Sequence, residues 1–207
     1  MNELASVEAK TRVAGAITAI EKRTSAEVVV SMRPQSGSYL HADLVAGAVA
    51  ALAYLCVFLY HPEPFDFTWF PAEQAVCFVL VALACSRLPP LRRLLSGRRS
   101  RQRNAELAAK EMFVDRGITK TRSRTGVLVY LSVLEREVVV VLDVGLDPVR
   151  LGDPYRRAVL ELQEVGARRS GSVDDFVKAL EAVGAALAEV YPVEADDTDE
   201  LSNEVAA

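Results

Sequence analysis

LVAGAVAALAYLCVFLY, residues 44–60, is a run of seventeen residues without a charge, and Gly47 is its one weak helix breaker. A helix of that length sits at the low end of what crosses the apolar core of a bilayer. His41 and Asp43 mark its entry. It gives way to HPEPFDFTWFP, residues 61–71, a turn-rich stretch whose Trp and Phe side chains suit a membrane interface. A second apolar run, residues 75–85, has only eleven residues. It reaches spanning length by taking in residues 67–74 or 86–91, with Arg87 able to snorkel from its end. The competing reading makes both runs buried helices of a soluble core, and for the second run alone the two readings compete closely.

Charge placement favours the membrane. Arg87, Arg92, Arg93, Arg98, Arg99, Arg101 and Arg103 follow the second run, whereas residues 61–74 contain neither Lys nor Arg. The positive-inside rule then sets both ends of a two-helix hairpin in the cytoplasm, at the inner membrane, as a multi-pass protein. The same arginines suit anionic lipid headgroups. A basic run can also serve nucleic acid, but one that abuts an apolar span is expected to meet lipid, and no nucleic-acid partner is expected.

Outside the hairpin the patterns are those of a globular α/β unit. Residues 4–22 place Leu4, Val7, Val13, Ala14, Ile17 and Ile20 near helical spacing. Glu27-Val28-Val29-Val30-Ser31-Met32 reads as a short buried strand, ended by Pro34 and Gly37. Residues 104–116, with Leu107, Ala108, Met112 and Phe113, form an amphipathic helix capped by Gly117. Residues 126–133 and 138–144 are two β-prone runs around the charged turn 134–137, an antiparallel hairpin. Helices follow over 153–169, with Val159, Leu162 and Val165 inward, and from Ser172 through Phe176, Leu180, Val183, Leu187 and Tyr191 to the Pro192 stop.

One strand cannot satisfy its backbone alone, so the strand at 27–32 needs partners that lie beyond the apolar runs. The insertion therefore interrupts a single domain and must return the chain to the side it left. The divisions expected are 1–39 and 92–193 for the two parts of an α/β domain, 40–91 for the hairpin, and 194–207 for an acidic tail too polar to fold. Apolar residues make up 51% of the chain and the net charge is −4. No cleaved signal sequence is evident at the start, and Cys56, Cys77 and Cys85 lie inside apolar stretches as small hydrophobes, outside any metal or disulfide spacing.

As an ordered set, residues 24–30 (TSAEVVV), 125–132 (TGVLVYLS), Glu135-Arg136, 142–146 (LDVGL) and the terminal Tyr191-Pro192 resemble the TPM-domain family, which includes thylakoid-lumen phosphatase-like and photosystem-repair proteins. The resemblance covers most of the chain outside the hairpin and the tail. It implies an α/β/α sandwich with a small mixed sheet, frequent membrane association and, in some members, calcium binding or a weak acid phosphatase activity. This chain differs from the commoner pattern in its hairpin and in carrying Arg124-Thr125-Gly126 where Asn-Asn-Gly is frequent.

For chemistry, Asp143 ends an apolar strand ahead of Val144-Gly145, and with Asp147 or Asp153 it could offer oxygen ligands to Ca²⁺. Alternatively it caps a turn or pairs with Arg122 or Arg124. Those two arginines could hold a phosphate or headgroup, or be simply solvated. EF-hand spacing, a phosphate-cradling glycine loop and a Cys-Arg nucleophile pattern are absent from the sequence, and His41 and His61 lie at opposite ends of the first apolar run. No cofactor is required by these residues, with Ca²⁺ the ion that the resemblance would add. The expectation is a membrane-anchored, non-catalytic binding or assembly module with a membrane-protein partner. The alternative is a weak calcium-dependent acid phosphatase.

Overall fold

The computed structural model describes residues 6–61, 68–168 and 172–193. Leu4, most of the proline-rich stretch after His61, Arg169 and the acidic tail lie outside the described residues. By packing, the chain divides into two compact units: one runs to Ser36 and resumes at Gln102, and the other is Gly37–Arg101.

The first unit is built on a three-stranded mixed sheet. β1 (Glu27–Arg33) runs parallel to β2 (Gly126–Ser132), with Glu27 opposite Gly126 and Arg33 opposite Ser132. β2 turns through residues 133–136 into antiparallel β3 (Glu137–Leu142). Alternation along the strands sends side chains to two separate cores, because successive residues point to opposite faces. Val28, Val30, Met32, Val127, Val129 and Leu131 face the larger core. Val29, Leu128 and Tyr130 face the smaller one.

Three helices cover the larger core. α1 (Val7–Glu21) opens at Ser6, whose hydroxyl accepts from the Ala9 amide, and buries Ala9, Val13, Ala16, Ile17 and Ile20. That stripe differs from the sequence expectation, since Val7 is exposed. Val7 lies two residues before Ala9, so it falls on the side of the helix away from the buried stripe. α6 (Pro148–Ala167) bends at Gly152, where φ is +66°, two residues before Pro154. α7 (Val173–Val190) starts at Ser172, whose hydroxyl accepts from the Asp175 amide, and packs Phe176, Leu180, Val183 and Leu187 inward. On the other face, α5 (Arg98–Asp115) applies Ala105, Ala108, Ala109, Met112 and Phe113. Leu107, expected inside, is exposed, because at 3.6 residues per turn it lies away from the face that Ala105, Ala108, Ala109 and Met112 bury. Helices therefore flank both faces of a small mixed sheet. The chain's last described residues return to its beginning, with Thr24 bridged to Pro192.

The second unit consists chiefly of α2 (Leu40–Tyr60), α3 (Phe70–Arg87) and α4 (Pro89–Leu95). α2 begins four residues before the uncharged run, so Asp43 lies inside the helix instead of marking its entry. α3 extends the eleven-residue run in both directions. Both helices are long and apolar enough to cross a membrane.

Candidate functional site

Asp143 is the centre of the best-built polar arrangement in the α/β unit. Its backbone amide still donates to Gly126 O at 2.9 Å, which holds it at the edge of the sheet with its side chain buried. Arg124 reaches it with a fork: Nε donates to Oδ2 at 2.9 Å and Nη2 to Oδ1 at 3.1 Å. The Val144 amide adds a third donor to Oδ1 at 2.7 Å. Arg124 itself has φ +57°, a left-handed backbone unusual for a side chain of this size. The Gly145 amide then donates to Arg124 O at 2.9 Å. A Cβ on Gly145 would lie 2.5 Å from the carbonyl oxygens of Ser123 and Arg124, so only glycine lets the two loops touch here.

The other acidic candidates serve elsewhere. Asp147 caps α6, its carboxylate accepting from the Val149 amide at 2.8 Å, while its own amide donates to the Tyr191 hydroxyl at 2.9 Å. Arg150 lies over the same Tyr191 ring, 5.4 Å from its centre. Asp153 is exposed and pairs with Arg156 on its own helix. Arg122 is exposed in the loop before β2. Of the five residues singled out in the sequence, Asp143 and Arg124 are paired by the fold. Among the described residues no group of three or more His, Cys, Asp or Glu is arranged to hold a metal ion. With both Asp143 oxygens already accepting, the donor set does not fit calcium. The guanidinium supplies in place the positive charge that a cation would bring.

Sequence reasoning missed a buried network at the opposite end of the sheet. Glu135, 1% exposed, accepts from the Ser36 amide at 2.9 Å and from the Ser132 hydroxyl. Ser36 Oγ donates to Ser132 Oγ at 2.6 Å and lies 2.8 Å from the Tyr130 hydroxyl. Burial raises the Tyr130 phenol above its ordinary range, partly offset by the Ser36 hydrogen bond and by Arg33. The Val133 and Leu134 amides donate to Arg33 O and Pro34 O, continuing the sheet just past β1. The network thus fastens the chain where it leaves the domain. Its signal in sequence was slight: a glutamate in a tight turn three residues after a serine.

The helical unit carries its own buried ion pair. Asp43, in the first turn of α2, accepts from Arg92 Nε at 2.9 Å and Nη2 at 2.5 Å. The carboxylate hydrogen-bonds hold the Arg92 guanidinium still more firmly protonated. Cys85, fully buried near the end of α3, also contacts Asp43, so one carboxylate ties α2, α3 and α4 together. At the far end of the helical pair, Phe70 packs on Phe58 with ring centres 4.1 Å apart. Between them Gly47 lets the helices close up, since a Cβ there would lie 2.8 Å from Phe78 O. The outer surface remains apolar: Val45, Val49, Leu52, Val57, Val79, Leu80 and Leu83 are all exposed.

No family model matches the chain, and no curated protein is similar to it. A solved structure is similar in fold: the NMR structure of BA42 protein from the psychrophilic bacteria Bizionia argentinensis sp. nov., at TM-score 0.58 and 18% identity, covering 100% of this chain and 99% of that one.

Proposed function

We propose that the chain is a membrane-anchored α/β protein of the TPM type, in which α2 and α3 are the anchor and the α/β unit is a non-catalytic module that binds or assembles a membrane complex. The observation that carries this reading is the apolar surface of the two helices. Leu44, Val49, Leu52, Leu59, Leu80 and Leu83 are among more than a helix face of exposed aliphatic side chains, which water would not tolerate as one patch and lipid would. The arginine asymmetry supports cytoplasmic termini at the inner membrane. The saturated Asp143 and the buried Glu135 network support a scaffold role, because their polar atoms serve the fold. A calcium-dependent phosphatase would need carboxylate oxygens open to a metal, and those of Asp143 are taken by Arg124 and Val144.

Fractionation tests the anchor: the full chain is expected to stay with membranes through an alkaline carbonate wash and to need detergent for release. Recovery in the supernatant without detergent sinks the reading. Purification in mild detergent is expected to bring down a stoichiometric membrane-protein partner, and reporter fusions at Pro64 and Ala207 to report opposite sides of the membrane.

A further inference from the structure

Among the arginines from the end of α3 into the first turns of α5, five fall into two sets with different work. Arg92 is held by Asp43, and Arg101 turns its Nη1 back to the carbonyl oxygens of Arg93 and Ser96. Arg92 thereby fixes α4 to α2, and Arg101 braces the turn from α4 into α5. Arg87, Arg98 and Arg99 are exposed and make no ion pair or side-chain hydrogen bond among the described residues. Nothing nearby in sequence offsets them, because no Asp or Glu occurs between Glu73 and Glu106. The first turn of α5 also lacks an acidic residue, so Arg98 and Arg99 add charge where the helix backbone is already positive. Taken alone, that arrangement is unfavourable, and an external anion relieves it. The same stretch of sequence, directly after an apolar helix, also exposes the side chains of Leu88 and Leu94. Guanidinium forks matched with exposed leucines suit a ligand that is anionic at one end and apolar at the other.

We propose that Arg87, Arg98 and Arg99, with Leu88 and Leu94, form a binding site for an anionic phospholipid, the phosphate-bearing headgroup on the arginines and the upper acyl chain on the leucines. The site rests on the reading of α2 and α3 as membrane spans, and Arg92 and Arg101 are its internal braces.

The test reconstitutes the full chain into phosphatidylcholine vesicles doped with a minority of phosphatidylglycerol, re-extracts it in mild detergent, and measures the ratio of the two lipids retained. Wild-type protein is expected to enrich phosphatidylglycerol, by about fivefold for each arginine engaged. The triple variant R87Q/R98Q/R99Q is expected to lose the enrichment, and R87K/R98K/R99K to keep much of it. Excess inorganic phosphate at matched ionic strength should leave the enrichment in place. Equal retention by wild type and the glutamine variant overturns the proposal, as does displacement by inorganic phosphate. So does capture of a duplex oligonucleotide by these arginines without lipid enrichment. Failure of the anchor itself looks different: the wild-type chain would then wash off the vesicles in carbonate. Retention in the vesicles without enrichment overturns the lipid site alone.

Discussion

Arg124 occupies a left-handed backbone position and at the same time closes a fork on Asp143, so the two roles can be separated by substitution. Arg124→Ala loses the fork and keeps an unfavourable backbone, whereas Arg124→Gly loses the fork and relaxes it. The glycine variant should therefore be the more stable of the two by about 1 kcal/mol. Amide exchange of the β2 residues in the full chain reads that difference, and equal protection would show the φ angle to carry no strain. Tyr155 gives a pH signature. Burial pushes its phenol up to about 12, from 10.0. Below pH 10 the phenol is neutral whether the chain is folded or not, so its full contribution is present. As pH climbs toward 12 the unfolded chain ionises first, and up to about 2–3 kcal/mol of stability is lost. Tyr155→Phe should remove that part of the alkaline loss, measured as amide exchange against pH. At this scale the sequence was legible only in part. Asp143 stands out because a charge at the end of Val138–Leu142 demands a partner, but the choice among Arg122, Arg124 and a metal depends on a loop conformation that no propensity encodes. Glu135 was harder still, since burial of a turn carboxylate depends on Ser36, distant in sequence.

Elements were more readable. Runs such as Val28–Val30 and Val138–Val141 leave little but a strand, and the Ser172 cap announces α7, whereas the Ser6 cap of α1 went unread. What the pattern could not show was which face each helix buries where alanines do the packing, as on α5, or that α2 begins early enough to enclose a carboxylate. The Asp43–Arg92 pair has a measurable consequence at this scale. Arg92→Gln leaves a buried carboxylate without its cation and should destabilise the helical unit by about 3 kcal/mol. Asp43→Asn does the converse. The double variant should recover a large part of the loss, because the unpaired charge is gone. Protection of the α2 first-turn amides in detergent is the readout, and strict additivity of the two single losses would mean that the pair is not coupled.

On the scale of the molecule, the division of the chain into an interrupted α/β unit and the inserted Gly37–Arg101 predicts modularity. Replacing that segment with a flexible Gly-Ser linker between Ser36 and Gln102 should yield a water-soluble α/β domain that retains the protected amides of β1, β2 and β3. Aggregation of that protein, or loss of β1 protection, would show that the domain depends on the helices. The parallel pairing of β1 with β2 also dictates an order of events on the ribosome. The first helix and strand emerge long before their neighbour exists, and both oily helices are translated in the interval. On the proposed reading of α2 and α3 as membrane spans, the nascent chain hands its hairpin to the insertion machinery before β1 has its partner, and domain closure becomes the last step of biogenesis. A chain truncated ahead of β2 would leave β1 without its ladder partner, an unclosed product open to quality-control proteolysis.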